Sequence, residues 1–147
     1  MSQYDFASLG LNTALVDNLA SLGYTEMTPV QAQGLPPILA NKDVIAKAKT
    51  GSGKTATFAL GLLNKLEVKR FRVQTLVLCP TRELADQVSV EIRKLARGIH
   101  NIKVLTLCGG MAFGPQVGSL EHGAHIIVGT PGRVEEHLRK ANLNLDN

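Results

Sequence analysis

The chain has no tryptophan and few other aromatics, four phenylalanines and two tyrosines in 147 residues. Its two cysteines, Cys79 and Cys108, each sit in an apolar strand-like run. Two such cysteines rule out a disulfide scaffold and point to buried thiols in a reducing cytosol. No apolar run approaches the roughly eighteen residues that a membrane span needs. The opening MSQYDFASLG lacks the basic stretch and apolar core of a secretion signal. Repeats, low-complexity linkers and a polybasic tail are also absent. What is present is 44% apolar with a net charge of +4 and a pI near 9.3. That describes one soluble, cytoplasmic domain's worth of chain with a mild tilt toward an anionic partner.

Leu11, Leu15, Leu19 and Leu22 recur at helical spacing, and Gly23 follows as a stop signal. Thr28-Pro29-Val30-Gln31 starts a second helix with Pro29 at its first position, and Pro36-Pro37 predicts a kink or an early end. From residue 43 a strand, turn and helix pattern repeats. DVIAKA (43–48) leads into a glycine loop and a helix from about Gly53. TLVLC (75–79) leads into Pro80-Thr81 and a helix with Leu84, Val88, Ile92 and Leu95 on one face. KVLTLC (103–108) leads into Gly109-Gly110, and HIIVG (125–129) into Thr130-Pro131-Gly132-Arg133 and a last helix. This alternation predicts an α/β fold, a parallel sheet with helices on both faces. Its strand-to-helix junctions then share one sheet edge, where such folds bind ligands.

The glycine loop is the sharpest chemical signal. Phosphate groups need converging backbone N–H donors and a turn free of side chains, which Gly51 and Gly53 supply. Lys54 adds a charge at the terminal phosphates, Thr55 a ligand for Mg²⁺, and the helix N-terminus its dipole. Thr81 and Thr130 read singly as helix caps. Together, two further helix N-termini, each with an arginine (Arg82 and Arg133), and a Gly109-Gly110 turn suggest a polymeric phosphate, hence nucleic acid. Gln31 has two readings that the sequence leaves open. It closes a capping box on Thr28, or its amide reads adenine N6 and N7. Tyr24 and Phe6 are candidate stacking or supporting aromatics, or plain core. His122 and His125 lack the acidic or thiol company of a metal site.

With these residues in hand, the chain resembles a DEAD-box RNA helicase along essentially its whole length. Phe6, Gly23-Tyr24, Thr28-Pro29 and Gln31 match the family's isolated aromatic and Q motif, with Met27 where proline is usual. Ala48, Lys49, Thr50, Gly51, Ser52, Gly53, Lys54 and Thr55 match motif I. Pro80-Thr81-Arg82 opens motif Ia, Gly109-Gly110 is the GG motif, and Thr130-Pro131-Gly132-Arg133 is motif Ib. The wording of LVLCPTRELADQV and LTLCGG is similar to the bacterial DbpA-like subgroup. The resemblance implies a Q-motif region over 1–34 and part of a RecA-like P-loop domain over 35–147. It implies ATP and Mg²⁺ as cofactors, with Gln31 reading adenine, Tyr24 stacking on it, Phe6 and Thr28 in support, and Lys54 and Thr55 at the phosphates. It implies RNA as partner, gripped by motifs Ia, GG and Ib. The subgroup further implies ribosomal RNA in large-subunit assembly.

The 147 residues contain no D-E-A-D and no S-A-T. The resemblance therefore implies a fragment truncated before the D-E-A-D strand and catalytically silent alone. In the family's sheet those missing strands separate 43–48 from 75–79. Their absence predicts exposed apolar faces at Val44, Ile45, Val77 and Leu78, and self-association through unpaired strand edges. Two rival readings predict different behaviour: a small-molecule P-loop kinase binds ATP without regard to RNA, and a non-catalytic RNA-binding module binds RNA without regard to ATP.

Overall fold

A strand buried on both faces reads as an unbroken apolar run, and residues 126–128 fit that description. In a computed structural model describing residues 4–146, three strands form among the described residues: β1 (Thr75–Leu78), β2 (Val104–Leu107) and β3 (Ile126–Gly129). Their order is β1-β3-β2, all parallel. Central β3 is wholly buried at Ile126, Ile127 and Val128. The register sets Leu78, Gly129 and Leu107 level with one another, so all three strands end at one edge. Met1–Gln3 and Asn147, the outer ends of the two expected domain ranges, lie outside the described residues.

Six α-helices are described: α1 (Thr13–Ser21), α2 (Pro29–Leu39), α3 (Lys54–Lys65), α4 (Arg82–Leu95), α5 (Phe113–His122) and α6 (Pro131–Arg139). The chain divides into two compact units. One takes the chain up to Leu66 with Glu91–His100, and the other takes Glu67–Val90 with the chain from Asn101 on. The division falls inside α4.

In the first unit α2 packs on α3 at small residues. Gly34 lies under Thr57, where an added Cβ would come within 2.8 Å of the methyl, and Gly61 lies under Ile38. Leu15, Leu19, Leu35, Leu60 and Leu63 fill the core. Asn18 Nδ2 donates to the Lys94 and Leu95 carbonyls at 2.9 Å each, satisfying acceptors that the end of α4 leaves open. In the second unit Leu107, Ala124, Ile127, Val134 and Leu143 form the core on one face of the sheet. Side chains alternate along a strand, so the buried Ile126 and Val128 need cover on the other face as well.

Three sequence expectations are corrected. The strand expected at 43–48 does not form: residues 43–47 are exposed, Ile45 fully. A strand needs a ladder partner for its backbone, and this segment pairs with none among the described residues. The helix of α2 runs through Pro36 and Pro37 to Leu39. The missing N–H donors fall in its last turns, where its packing on α3 outweighs them. Leu84 is 40% exposed, and the buried stripe of α4 runs through Ala85, Val88, Ile92 and Leu95 instead. Leu84 lies one residue, about 100°, off that stripe.

Candidate nucleotide and nucleic-acid sites

The glycine loop of the first unit is built on two left-handed residues, Gly51 with φ +81° and Gly53 with φ +95°. Other residues are strained in that region. Between them Ser52 N–H donates to the Lys49 carbonyl at 3.2 Å, closing the turn. Ser52 Oγ is buried with no hydrogen-bond partner among the described residues. Lys54 begins α3 and its Nζ donates to the Ala48 carbonyl, folding the ammonium back over the loop. The Gly53 carbonyl accepts from Thr57 N at 3.1 Å and Thr57 Oγ1 at 2.9 Å. A turn built on two left-handed glycines, a buried orphan hydroxyl and an ammonium at the start of a twelve-residue helix fit a polyphosphate.

Both readings of Gln31 meet at this loop. Its Oε1 accepts from Thr28 N–H at 3.0 Å, the capping-box bond. Its Nε2 donates to the Gly53 carbonyl at 3.3 Å. Each amide atom thus spends one of its two bonding positions inside the chain and keeps one, so capping does not exhaust it. Tyr24 is half-buried, and Lys94 Nζ donates to its hydroxyl at 2.8 Å, which holds the Lys94 ammonium above its ordinary pKa. Phe6 is buried, 3% exposed. Met27 N–H donates to the Tyr4 carbonyl at 2.6 Å, a bond that proline in its place would lose.

The second unit brings the three junction motifs to one sheet edge. After β1, Thr81 Oγ1 caps α4 by accepting from Leu84 N–H at 3.2 Å. Pro80, Thr81 and Arg82 are exposed, and Arg82 Nε stands 4.0 Å from Asp86. Thr130 departs from the expected cap. Its Oγ1 accepts from Gly109 N–H at 3.0 Å and makes no cap bond to α6, which Pro131 opens. Motif Ib is thereby tied to the GG turn. Gly110 has φ +84°, and Gly109, Gly110 and Gly132 face solvent.

Arg133 turns inward, with its side chain 15% exposed. Its Nη1 donates to the Met111 carbonyl at 2.8 Å and to Gln116 Oε1 at 3.0 Å, and its Nε lies 3.2 Å from Glu136. Beneath it is a buried polar group that the sequence reading missed. Gln116 Nε2 donates to the Cys108 carbonyl at 3.2 Å, and His137 Nε2 bonds Gln116 Oε1 at 2.8 Å. The imidazole stacks on Phe113 at 4.3 Å. Burial, then the nearby Arg133 charge, holds the His137 pKa below its ordinary value. His137 is therefore neutral, its Nε2–H donating while Nδ1 accepts from Asn142 Nδ2 at 3.3 Å. These residues lie outside every motif quoted above, and a lone Gln or His at helical spacing gives no local signal. His125 is equally buried: Nδ1 accepts from Lys103 N–H at 3.0 Å and Nε2 pairs with the Val68 carbonyl. No cluster of metal-ligating side chains occurs among the described residues.

Residues 28–147 match the family model for the DEAD/DEAH box helicase. The chain belongs to this family. It is 60% identical over 136 residues to the ATP-dependent RNA helicase DbpA of Escherichia coli K12, covering 92% of this chain and 30% of that protein. It is 42% identical over 142 residues to the DEAD-box ATP-dependent RNA helicase CshA of Bacillus cereus, covering 97% of this chain and 27% of the relative. A crystal structure of a DEAD box protein from the hyperthermophile Methanococcus jannaschii superposes with a TM-score of 0.90 at 37% identity. That match covers 97% of this chain and 39% of the other. The chain thus spans about a third or less of these curated relatives. The parallel sheet with helices, expected from the sequence, matches that of a DEAD box protein.

Proposed function

We propose that this chain is the ATP- and RNA-binding part of an ATP-dependent DEAD-box RNA helicase, a Q-motif region over 1–34 followed by RecA-like chain over 35–147. Likeness to two ATP-dependent RNA helicases supports the activity. The observation that carries the reading is the Gly53 carbonyl, which joins the capping-box glutamine to the phosphate loop through Gln31 Nε2. A nucleotide in the loop would then have its base beside an amide with one donor and one acceptor left, the pattern that pairs with adenine.

In this reading Ala48 to Thr55 hold the phosphates of ATP, Lys54 neutralises the terminal ones, and Thr55 offers its hydroxyl to Mg²⁺. Thr28 and Phe6 hold Gln31 and Tyr24 in place at the base. ATP, when bound, supplies the transferable phosphoryl group. RNA is gripped along its backbone by Pro80, Thr81, Arg82, Gly109, Gly110, Thr130, Pro131, Gly132 and Arg133, the last through the loop it braces. Ribosomal RNA during large-subunit assembly, in the cytoplasm, is the substrate that the 60% likeness to DbpA favours. Among the described residues no helix is long and apolar enough to cross a membrane. The 147 residues hold no D-E-A-D acid, so by themselves they turn over no ATP. The exposed Ile45 and the half-exposed Leu78 on edge strand β1 favour self-association of the chain alone.

The test is nucleotide-dependent RNA unwinding by the intact protein. ATP should support it far better than GTP, and Gln31→Ala should erode that preference. Lys54→Ala should lower turnover by about a hundredfold or more. An ATP/GTP ratio that Gln31→Ala leaves unchanged would reduce Gln31 to a helix cap. ATP binding indifferent to RNA would favour a small-molecule kinase instead.

A further inference from the structure

The loop between β2 and α5 is pinned at three points. The Cys108 carbonyl accepts from Gln116 Nε2, Gly109 N–H donates to Thr130 Oγ1, and the Met111 carbonyl accepts from Arg133 Nη1. Gly109 and Gly110, the exposed pair, lie among those points with no side chain to cover their backbone. Gln116 is the hub of the arrangement. Its Nε2 bond to Cys108 fixes which way the amide faces, and its Oε1 uses two acceptor positions, for Arg133 and for His137. Arg133 has five N–H donors, and its Nε and Nη1 are directed inward to Glu136, Met111 and Gln116. Such an arginine acts as a strut for the loop, where a phosphate ligand would point outward.

We propose that Gln116 and His137 are positioning residues for RNA-backbone binding, acting through Arg133 to set the shape of the Gly109-Gly110 turn. The inference rests on the reading of that edge as an RNA site. The chemistry is specific at each point. His137 must donate at Nε2, because Oε1 of Gln116 can only accept. Stacking on Phe113 fixes the plane of the ring, and the same Phe113 ring lies 5.5 Å from the Arg133 guanidinium carbon. Loss of either hydrogen bond to Gln116 Oε1 frees Arg133 to swing outward and leaves the Met111 carbonyl unheld. RNA then meets a loop that must be ordered on binding, and the backbone of that loop no longer meets the phosphates in a preset shape.

The experiment measures the affinity of the intact protein for a single-stranded oligouridine RNA, with saturating ATP analogue, across a salt series. Gln116→Leu removes the hub. His137→Phe keeps a ring on Phe113 but removes the donor, and His137→Gln returns an N–H near the Nε2 position. Gln116→Leu and His137→Phe should each weaken binding about tenfold at every salt concentration with little change in salt slope, because the loop meets phosphates through uncharged backbone N–H groups. His137→Gln should restore affinity to within about threefold, and adding Arg133→Ala to Gln116→Leu should cost little more, as expected for residues acting as one unit. A merely structural role would lower melting temperature while leaving the RNA affinity of the folded variant unchanged. Wild-type affinity in folded Gln116→Leu or His137→Phe, beside a weakened Arg133→Ala, would overturn the inference and leave the RNA site standing. Should Gln116→Leu fail to fold, His137→Phe and its rescue decide the matter. Absence of salt-dependent RNA binding in the wild-type protein would remove the RNA reading and the inference with it.

Discussion

Gly53→Ala should damage this chain more than Gly51→Ala, although both replace a left-handed glycine. The φ of +81° at Gly51 and +95° at Gly53 imposes about 1–2 kcal/mol on any L-residue. At Gly51 that is the whole effect, because an added Cβ meets nothing within 4 Å. At Gly53 the methyl would lie 2.5 Å from Gln31 Nε2 and 2.9 Å from Thr28 Oγ1. Gln31 must move, breaking its 3.3 Å bond to Gly53 and its 3.0 Å bond from Thr28 N–H. Each bond contributes about 0.5–1.5 kcal/mol. Gly53→Ala should therefore cost about 2–5 kcal/mol against about 1–2 for Gly51→Ala. Urea unfolding of the chain measures both, and with a slope of about 1–3 kcal/mol per molar the midpoints should differ by about 1 M. In the intact protein Gly53→Ala should also narrow the ATP-over-GTP preference, since it displaces the reading amide. Equal midpoints and equal preferences in the two variants would refute the coupling between Gln31 and the phosphate loop.

Two titrating features give further expectations. Burial, followed by the neighbouring Cys108, raises the Cys79 thiol, and burial followed by Asp86 raises Cys108; at pH 8 iodoacetamide should label the folded chain at least about tenfold more slowly than the urea-unfolded chain, and equal rates would contradict that burial. His137 binds a proton less readily in the folded chain than its ordinary value of 6.5. The unfolded chain thus takes up more protons between the depressed value and 6.5, so His137's contribution to stability is full above 6.5 and shrinks as pH falls below it. Urea midpoints at pH 7.5 and 5.5 should show the fall, and His137→Phe should flatten it.

The glycine loop was legible in the sequence because its backbone signals are local. Eight consecutive residues supply the turn, the charge and the helix start, and the structure folds them as written. Sheet order needed more than pattern, yet the apolar runs at 75–79, 103–108 and 125–129 each became a parallel strand within a residue of the expected bounds. What stayed hidden depends on partners far along the chain. Thr130 before Pro131 reads as a cap, but its hydroxyl holds Gly109, 21 residues away. Gln116 and His137 are also 21 apart, on α5 and α6, and neither helix alone marks its polar residue as buried.

The segment 43–48 separates local signal from long-range support most sharply. DVIAKA has the composition of a strand, and apolar residues of that kind favour extended backbone when a neighbour offers a ladder. Val44 and Ile45 instead face solvent, so propensity without a partner strand did not make a strand. The glycine loop that follows nevertheless keeps its left-handed glycines and its helix start. Its support comes from the other side, from α2 through Gln31 to the Gly53 carbonyl, and from Gly34 and Ile38 packed on α3. On the proposed reading, the glycine loop is organised by the same Gln31–Gly53 contact that would confer adenine selectivity. Substitutions that loosen α2 from α3, such as Gly34→Val against the Thr57 methyl, should therefore lower ATP affinity and ATP/GTP discrimination together, while leaving the buried β3 core of the other unit intact. Nucleotide titrations of that variant in the intact protein would show the two effects moving in step; discrimination preserved at reduced affinity would mean that Gln31 is positioned independently of the loop.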